Sequence, residues 1–167
     1  ALADLRKEYT KESLDVAWVS PSPIHQFEKW FDEALRAEVL EANAMTLSTV
    51  TSDGKPSARI VLLKGVEQNQ FLFYTNYQSQ KGKELLANPA CALTFFWPEL
   101  ERQVRIEGIA NRLDEKTSEK YFQSRPRGSQ VGAWASPQST IVKNRAILED
   151  RMKELEKKFE GQETLPK

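Results

Sequence analysis

Residues 45–64 read MTLSTVTSDGKPSARIVLLK, two β-rich runs on either side of the pair Asp53-Gly54. The first run alternates with period two, and an Asp-Gly pair readily takes the positive φ angles of a tight turn. The pattern predicts a β-hairpin whose second strand runs from Ser57 to Lys64. Its four consecutive apolar residues, 60–63, predict a strand buried on both faces.

Arg59 and Lys64 flank that apolar run and need a partner or an open rim, because an unpaired buried charge is costly. Either they reach solvent at the strand ends, or they bind a phosphate, and the spacing alone favours neither. Since the two residues are five positions apart, a regular strand directs them to opposite sides. One ligand that contacts both therefore requires a strand end, a bulge or two ligand sites.

The bulk composition indicates a globular protein without a strong electrostatic preference. With 167 residues and 40% hydrophobic content, we expect one domain over 1–167, with an N-terminal arm over 1–22. Lys plus Arg (24) equal Asp plus Glu (24), so no net field attracts nucleic acid or an anionic membrane. No apolar run approaches the ~20 residues of a membrane span and no signal-peptide core is present, which favours a cytoplasmic location.

The small numbers of cysteines and histidines limit the kinds of catalytic and metal sites that the chain can form. Cys91 is the only cysteine and His25 the only histidine, which excludes a disulfide framework and a Cys/His zinc site, and we expect no metal. A Ser-His-Asp triad would need His25, which lies in an amphipathic helical segment and is better explained as a surface side chain. No carboxylate pair stands out either, so no side chain is assigned as catalytic.

The rest of the chain predicts helices and hairpin strands without strand-helix-strand alternation. Ser22-Pro23 is typical of a helix start, and Asp114 of another. Five strands in hairpins favour a mainly β protein with helices (α+β), built as an antiparallel barrel rather than a parallel α/β sheet. We expect helices over 23–41, 79–86, 114–122 and from Thr140 onward, and further strands over 70–75, 91–97 and 103–113; residues 129–136 are ambiguous.

Polar and cationic residues collect at the strand ends and in the loops that follow them. Arginine grips a phosphate through a planar fork, lysine supplies a point charge, and hydroxyls fill the remaining acceptor sites. The set suits one or two phosphate-bearing ligands, and no glycine-rich nucleotide loop is present. Taken alone, Arg125-Pro-Arg127 is better explained as a functionless helix C-terminus followed by a proline stop. The set comprises Arg59, Lys64, Tyr74, Thr75, Lys81, Gln103, Tyr121, Arg125, Arg127, Ser129, Gln138 and Ser139.

Six motifs occur in order along the chain: Arg59-Ile-Val-Leu-Leu-Lys64, Phe73-Tyr-Thr-Asn76, Glu101-Arg-Gln-Val104, Tyr121-Phe-Gln-Ser-Arg-Pro-Arg127, Ser129-Gln-Val-Gly-Ala133 and Gln138-Ser139. Together they resemble the pyridoxamine 5'-phosphate oxidase family over nearly the whole chain. The resemblance implies an antiparallel split β-barrel and a homodimer with FMN at the subunit interface. It also implies oxidation of pyridoxamine or pyridoxine 5'-phosphate to pyridoxal 5'-phosphate, with O2 consumed and H2O2 released.

The same resemblance implies which residues contact the ligands. The phosphate of a B6 vitamer would be held by Lys64, Tyr121, Arg125 and Ser129, and the pair Arg6 and Tyr9 would close over the substrate. FMN contacts are implied for Arg59, Ile60, Val61, Leu62, Leu63, Lys64, Tyr74, Thr75, Gln80, Lys81, Gln103, Gln138 and Ser139.

Two departures from the family pattern leave alternatives open. Many members have arginine at the position of Gln80, so one cationic contact to the FMN phosphate is replaced by a neutral donor. A Trp-containing strand and an Arg-Leu-His-Asp-Arg motif complete the family's sites, and neither precedes Lys167. Either the natural chain continues, which the ending Leu165-Pro-Lys167 favours, or this form cannot orient substrate. The alternatives are a split-barrel protein that binds FMN or pyridoxal phosphate without oxidase activity, and a flavin reductase using a nicotinamide.

Overall fold

The computed structural model describes residues 2–5, 8–11, 13–162 and 165–166. Its five α-helices and six strands are assigned within those ranges. The helices are α1 (Pro23–Arg36), α2 (Gln80–Ala87), α3 (Glu115–Ser124), α4 (Arg127–Ala135) and α5 (Arg145–Lys158). The strands are β1 (Ala44–Val50), β2 (Pro56–Leu62), β3 (Gly65–Glu67), β4 (Gln70–Leu72), β5 (Ala90–Trp97) and β6 (Arg102–Ile109).

The predicted hairpin is confirmed as β1 and β2, neighbours in one sheet. Gly54 has a φ of +83°, which glycine adopts without steric cost, and the Gly54 N–H donates to Thr51 O at 3.0 Å. The expectation that β2 is buried on both faces is wrong. Val61 is buried, but Ile60 is 64% exposed and Leu62 39% exposed, so one face of the strand is uncovered in the chain.

The strands form two sheets. The larger has the order β2-β1-β5-β6, and the smaller pairs β3 with β4 antiparallel, with Val66 opposite Phe71. Among the described residues these sheets do not close into a barrel. The strand predicted over 70–75 ends at Leu72, and β3 was not predicted; Gln68 and Asn69, both at positive φ, make the turn between them.

The predicted helix starts agree with the structure more closely than the predicted helix ends do. Ser22 and Asp114 cap α1 and α3 as predicted. The first helix ends at Arg36 rather than residue 41, because Glu38 takes a left-handed φ of +52°. The last helix begins at Arg145, capped by Asn144, and not at Thr140. The ambiguous segment 129–136 belongs largely to α4.

The chain divides into two compact units. The first contains 1–48, 58–73 and 92–107, and in its core Phe27 packs against Phe95 with ring centroids 5.0 Å apart. Buried Trp97 donates its indole N–H to Ala42 O at 2.9 Å, which satisfies its only polar atom. The second unit contains 49–57, 74–91 and 108–167. One hydrophobic cluster in its core comprises Phe122, Val131, Phe159 and Leu165.

Candidate active site

The residues assigned to ligands by sequence are distributed over both units. Tyr9, residues 59–64 and Gln103 belong to the first unit. Arg6 lies outside the described residues. The second unit holds Tyr74, Thr75, Gln80, Lys81, Tyr121, Arg125, Ser129, Gln138 and Ser139.

In the first unit, Arg59 and Lys64 have different surroundings. Arg59 is half-buried on β2, and its guanidinium donates to Leu47 O at 3.3 Å. Lys64 follows the end of β2 with an exposed side chain, while its backbone N–H donates to Leu72 O at 2.8 Å. Lys64 is thus at a strand end, one of the arrangements that lets a ligand reach it.

An open pocket of about 430 Å³ adjoins Lys64 in the first unit. Phe27, Phe31 and Leu35 of α1 supply much of its apolar lining. Glu28 and Asp32 also line it, and two carboxylates disfavour an anionic ligand. This pocket is therefore a poor candidate for the phosphate site.

Two further assigned residues of the first unit are solvent-exposed. Gln103 is exposed on β6, and Tyr9 belongs to the exposed N-terminal segment. The chain next to Tyr9 is anchored, because the backbone N–H groups of Thr10 and Lys11 donate to the Glu101 carboxylate at 2.9 and 3.0 Å. No contact in the described residues joins Tyr9 or Gln103 to another assigned residue.

In the second unit, the start of α2 joins residues that are far apart in sequence. The Ser79 hydroxyl caps the helix by accepting the Gly82 N–H at 3.3 Å, and it donates to Asn76 O at 2.6 Å. The Lys81 ammonium donates to the Gln138 side-chain oxygen at 2.9 Å. Two side chains assigned to FMN are therefore in direct contact.

Gln80 contacts a buried carboxylate within its own helix. Its side-chain nitrogen donates to Glu84 Oε1 at 2.8 Å, and the hydroxyl of buried Thr49 donates to Glu84 Oε2 at 2.5 Å. An ionised carboxylate needs such donors when it leaves water. The Gln80 amide thus stabilises Glu84 within α2. Nothing in the sequence marked Glu84 or Thr49 as partners.

Tyr74 and Tyr121 stack face to face, with ring centroids 3.5 Å apart and an angle of 7° between the planes. Tyr74 is assigned to FMN and Tyr121 to substrate. Tyr121 is carried by α3, whose first turn is held by the Asp114 cap. Hydrogen bonds from Thr117 keep the pKa of the Asp114 carboxyl below its usual value, so the cap is ionised at neutral pH.

The other two assigned substrate residues of the second unit are Arg125, directly after α3, and Ser129, in the first turn of α4. Arg125 is half-buried, and its guanidinium lies 5.9 Å from the Phe122 ring centroid. Within the described part of the chain Arg125 has no carboxylate partner, and Ser129 is exposed one turn into α4. Arg127 differs, because its guanidinium donates to Phe159 O at 2.6 Å and Gln162 O at 2.8 Å. Arg127 is therefore a structural cation, and Arg125 is available to a ligand.

Thr75 provides a test of whether a ligand fits the second unit. Its hydroxyl oxygen is buried and has no hydrogen-bond partner among the described residues. A buried hydroxyl without a partner is uncommon, because it has lost water without replacement. A ligand with polar groups, as FMN has, would satisfy this oxygen, and the lysine and amide donors of Lys81 and Gln138 in the same unit suit its phosphate.

Replacing Thr75 by valine should separate ligand binding from folding. We expect FMN to bind roughly three- to tenfold more weakly, while the free energy of unfolding without FMN is unchanged or rises by up to about 1 kcal/mol. The matched control is Thr49→Val, which removes a made bond to Glu84 and should lower the free energy of unfolding by about 1.5 kcal/mol. Fluorescence titration with FMN and urea unfolding measure both; equal destabilisation by the two variants contradicts the interpretation of Thr75.

The other assigned and reactive residues add little to the description of the site. Gln138 and Ser139 are exposed after α4, and Ser139 has a positive φ of 64°. Burial raises the pKa of the Cys91 thiol, so the thiol is protonated at neutral pH and is a weak nucleophile. Over the described ranges, no cluster of His, Cys, Asp and Glu could hold a metal ion, and no helix is long and apolar enough to cross a membrane.

Comparison with known proteins agrees with this geometry. The family model described as pyridoxamine 5'-phosphate oxidase matches residues 31–159. A pyridoxine/pyridoxamine 5'-phosphate oxidase of Burkholderia thailandensis is 56% identical over 158 residues, which cover 95% of this chain and 74% of the relative. The enzyme of the same name from Rubrobacter xylanophilus is 57% identical over 160 residues, covering 96% of this chain and 74% of that one.

Solved structures extend the comparison to the fold. PhzG from Burkholderia lata 383, solved with tetrahydrophenazine-1-carboxylic acid, aligns with a TM-score of 0.85 at 28% identity, over 93% of this chain and 77% of its own. A pyridoxamine 5'-phosphate oxidase-related, FMN-binding protein from Nostoc punctiforme has the same fold, with a TM-score of 0.62 at 19% identity over 78% of this chain and 73% of its own. With a family model spanning most of its length and relatives above 50% identity, the chain belongs to the pyridoxamine 5'-phosphate oxidase family of oxidoreductases.

Proposed function

We propose that this protein oxidises pyridoxamine 5'-phosphate and pyridoxine 5'-phosphate to pyridoxal 5'-phosphate, using FMN and O2 and releasing H2O2. The observation that carries the proposal is the stack of Tyr74 on Tyr121. It brings a residue assigned to the flavin against a residue assigned to the substrate. Such adjacency is required when the substrate transfers electrons directly to a bound cofactor.

FMN fits the residues that the second unit provides. Lys81 and Gln138 would hold its phosphate and polar edge, Thr75 would gain the partner that its hydroxyl lacks, and Tyr74 would pack beside it. On the family motifs that contain them, Arg59, Lys64 and Gln103 are proposed FMN contacts as well. When bound, FMN supplies the redox chemistry, accepting two electrons from the substrate and passing them to O2. No side chain of this protein is assigned a redox step.

The proposed role of the substrate residues is to bind and orient the phosphate. Arg125 supplies a fixed planar cation, Ser129 a hydroxyl donor, and Tyr121 a phenol held by its stack on Tyr74. Charge-assisted hydrogen bonds of this kind are stronger than neutral ones. They leave the reacting carbon end of the vitamer free to face the flavin, and Lys64 would contribute a second cation.

A homodimer with a split-barrel core is part of the proposal. It is supported by the exposed apolar side chains of β2, Ile60 and Leu62, which lie on an edge strand of the larger sheet. Exposed apolar edges of this kind are normally covered by another chain. A cytoplasmic location is proposed as well, because a single cysteine suits a reducing compartment.

A second candidate is oxidation of a phosphate-free aromatic acid, favoured by the alignment with PhzG. The 28% identity to PhzG is half the identity to the B6 oxidases, and Arg125 with Ser129 suits a phosphate group. The phosphorylated vitamer is therefore the preferred substrate.

The visible spectrum and the mass of the purified protein test the binding part of the proposal. We expect a yellow protein with one FMN per chain and a mass of two 19.1 kDa chains. A protein that loses its FMN on filtration and has the mass of a single chain would contradict the proposal. Yellow protein that oxidises NADH without any vitamer would indicate a reductase instead.

A further inference from the structure

The Gln130 side chain is 3% exposed, and its three hydrogen bonds all go to the main chain. Its Nε2 donates to Gln123 O at 3.1 Å and to Arg125 O at 2.8 Å. Its Oε1 accepts the Leu165 N–H at 3.3 Å. Because an unpaired buried amide is costly, these three bonds fix the side chain in one orientation.

The two carbonyls that Gln130 binds lie at the C-terminal end of α3. The last carbonyls of a helix have no partner inside it and need one from elsewhere. Here the partner comes from the next helix, across the Pro126 turn. Arg125 follows the last residue of α3, so the bond to its carbonyl fixes the main chain from which its guanidinium extends.

Gln130 also belongs to a row of side chains on α4 that bind the C-terminal segment, here residues 159–162 and 165–166. Arg127, Gln130 and Trp134 are spaced three and four residues apart, on one face of the helix. Arg127 binds the carbonyls of Phe159 and Gln162, and the Trp134 indole donates to Pro166 O at 2.8 Å. Of these three side chains, Gln130 is the one that, among the described residues, forms hydrogen bonds both to this segment and to the Arg125 turn.

We propose that Gln130 is a positioning residue for the substrate phosphate: it sets the main-chain position of Arg125 and ties it to the segment that ends at Pro166. The inference rests on the proposed function, in which Arg125 binds that phosphate. Gln130 itself touches no substrate atom. Its effect on substrate should therefore pass entirely through Arg125.

A double-mutant cycle measures that coupling. The variants are Gln130→Met, which keeps the length of the side chain and removes its amide, Arg125→Ala, and the two combined, each in the FMN-loaded full-length protein. Binding is titrated calorimetrically with pyridoxal 5'-phosphate, and with pyridoxal as the phosphate-free probe. Trp134→Phe is the matched control, since it removes one bond to the same segment and none to the Arg125 turn.

We expect Gln130→Met to weaken pyridoxal 5'-phosphate binding roughly three- to tenfold, the worth of about one hydrogen bond, with pyridoxal binding unchanged. In the Arg125→Ala background, Gln130→Met should weaken pyridoxal 5'-phosphate binding further by less than about twofold. Trp134→Phe should change neither affinity by more than about twofold. If Gln130→Met does not fold, Gln130→Asn, which withdraws the amide by one methylene, should give the same pattern.

Two outcomes overturn the inference while leaving the proposed function intact. In one, Arg125→Ala weakens pyridoxal 5'-phosphate binding but Gln130→Met does not. In the other, the losses of binding free energy caused by Arg125→Ala and by Gln130→Met add up in the double variant. Additivity would mean that Gln130 is a general structural residue. If Arg125→Ala itself leaves the affinity unchanged, the phosphate assignment fails, and with it the proposed substrate site.

Discussion

The Arg125→Ala variant is expected to keep its FMN and to lose about 1.5–3 kcal/mol of binding free energy for phosphorylated B6 vitamers, roughly ten- to a hundredfold in Kd. The reason is that a charged hydrogen bond to phosphate is removed, while the residues proposed to hold FMN are untouched. Steady-state kinetics should show the change mainly as a higher KM for pyridoxamine 5'-phosphate. The flavin spectrum gives the FMN content of the same preparation.

Lys120→Ala is the matched control for Arg125→Ala. It removes an exposed cation from α3, the helix that Arg125 directly follows, without removing a proposed ligand contact. Its KM should stay close to that of the unaltered protein, because an exposed charge is screened by salt. Loss of FMN in Arg125→Ala, or an equal rise of KM in both variants, would assign Arg125 a different role.

Gly82→Ala is expected to disturb the start of α2 and so the proposed FMN phosphate contact. A Cβ at this position would lie 2.4 Å from the Tyr77 carbonyl oxygen and 2.8 Å from that of Asn76. Both are backbone atoms, so relief requires the chain itself to move. We expect a loss of about 1–3 kcal/mol in the free energy of unfolding, with weaker FMN binding because Lys81 moves with the helix.

Gly132→Ala tests whether the Gly82 effect comes from the close approach rather than from glycine loss in general. A Cβ at Gly132 of α4 meets nothing within 4 Å, so alanine there should be neutral or stabilise by up to about 1 kcal/mol. Urea unfolding of the two variants gives the comparison. If Gly82→Ala unfolds at the same urea concentration as the unaltered protein and binds FMN equally well, the tight packing at α2 has no functional consequence.

The sequence was informative where local chemistry determines the structure. The Asp53-Gly54 turn and the caps Ser22 and Asp114 each act within a few residues, and all three are found as predicted. The stacked ligand residues also came from recognisable motifs.

Features that depend on distant neighbours were not predictable. Four apolar residues in β2 gave no indication of which face the chain covers, and Ile60 is exposed. The partners of Glu84 and Gln130 lie up to 35 positions away, so no local pattern reveals them. Spacing on α4 carried a faint signal, because Arg127, Gln130 and Trp134 share one helix face, but only once that segment is known to be helical.

Oxygen uptake on addition of pyridoxamine 5'-phosphate to the purified full-length protein tests the central proposal most directly. We expect a yellow protein that consumes O2 and forms an equal amount of H2O2, with pyridoxal 5'-phosphate as the product. We expect no comparable oxygen uptake with unphosphorylated pyridoxamine at the same concentration, since Arg125 would then have no phosphate to bind. A flavin-loaded protein that consumes no oxygen with either phosphorylated vitamer would contradict the account and indicate a binding protein without oxidase activity.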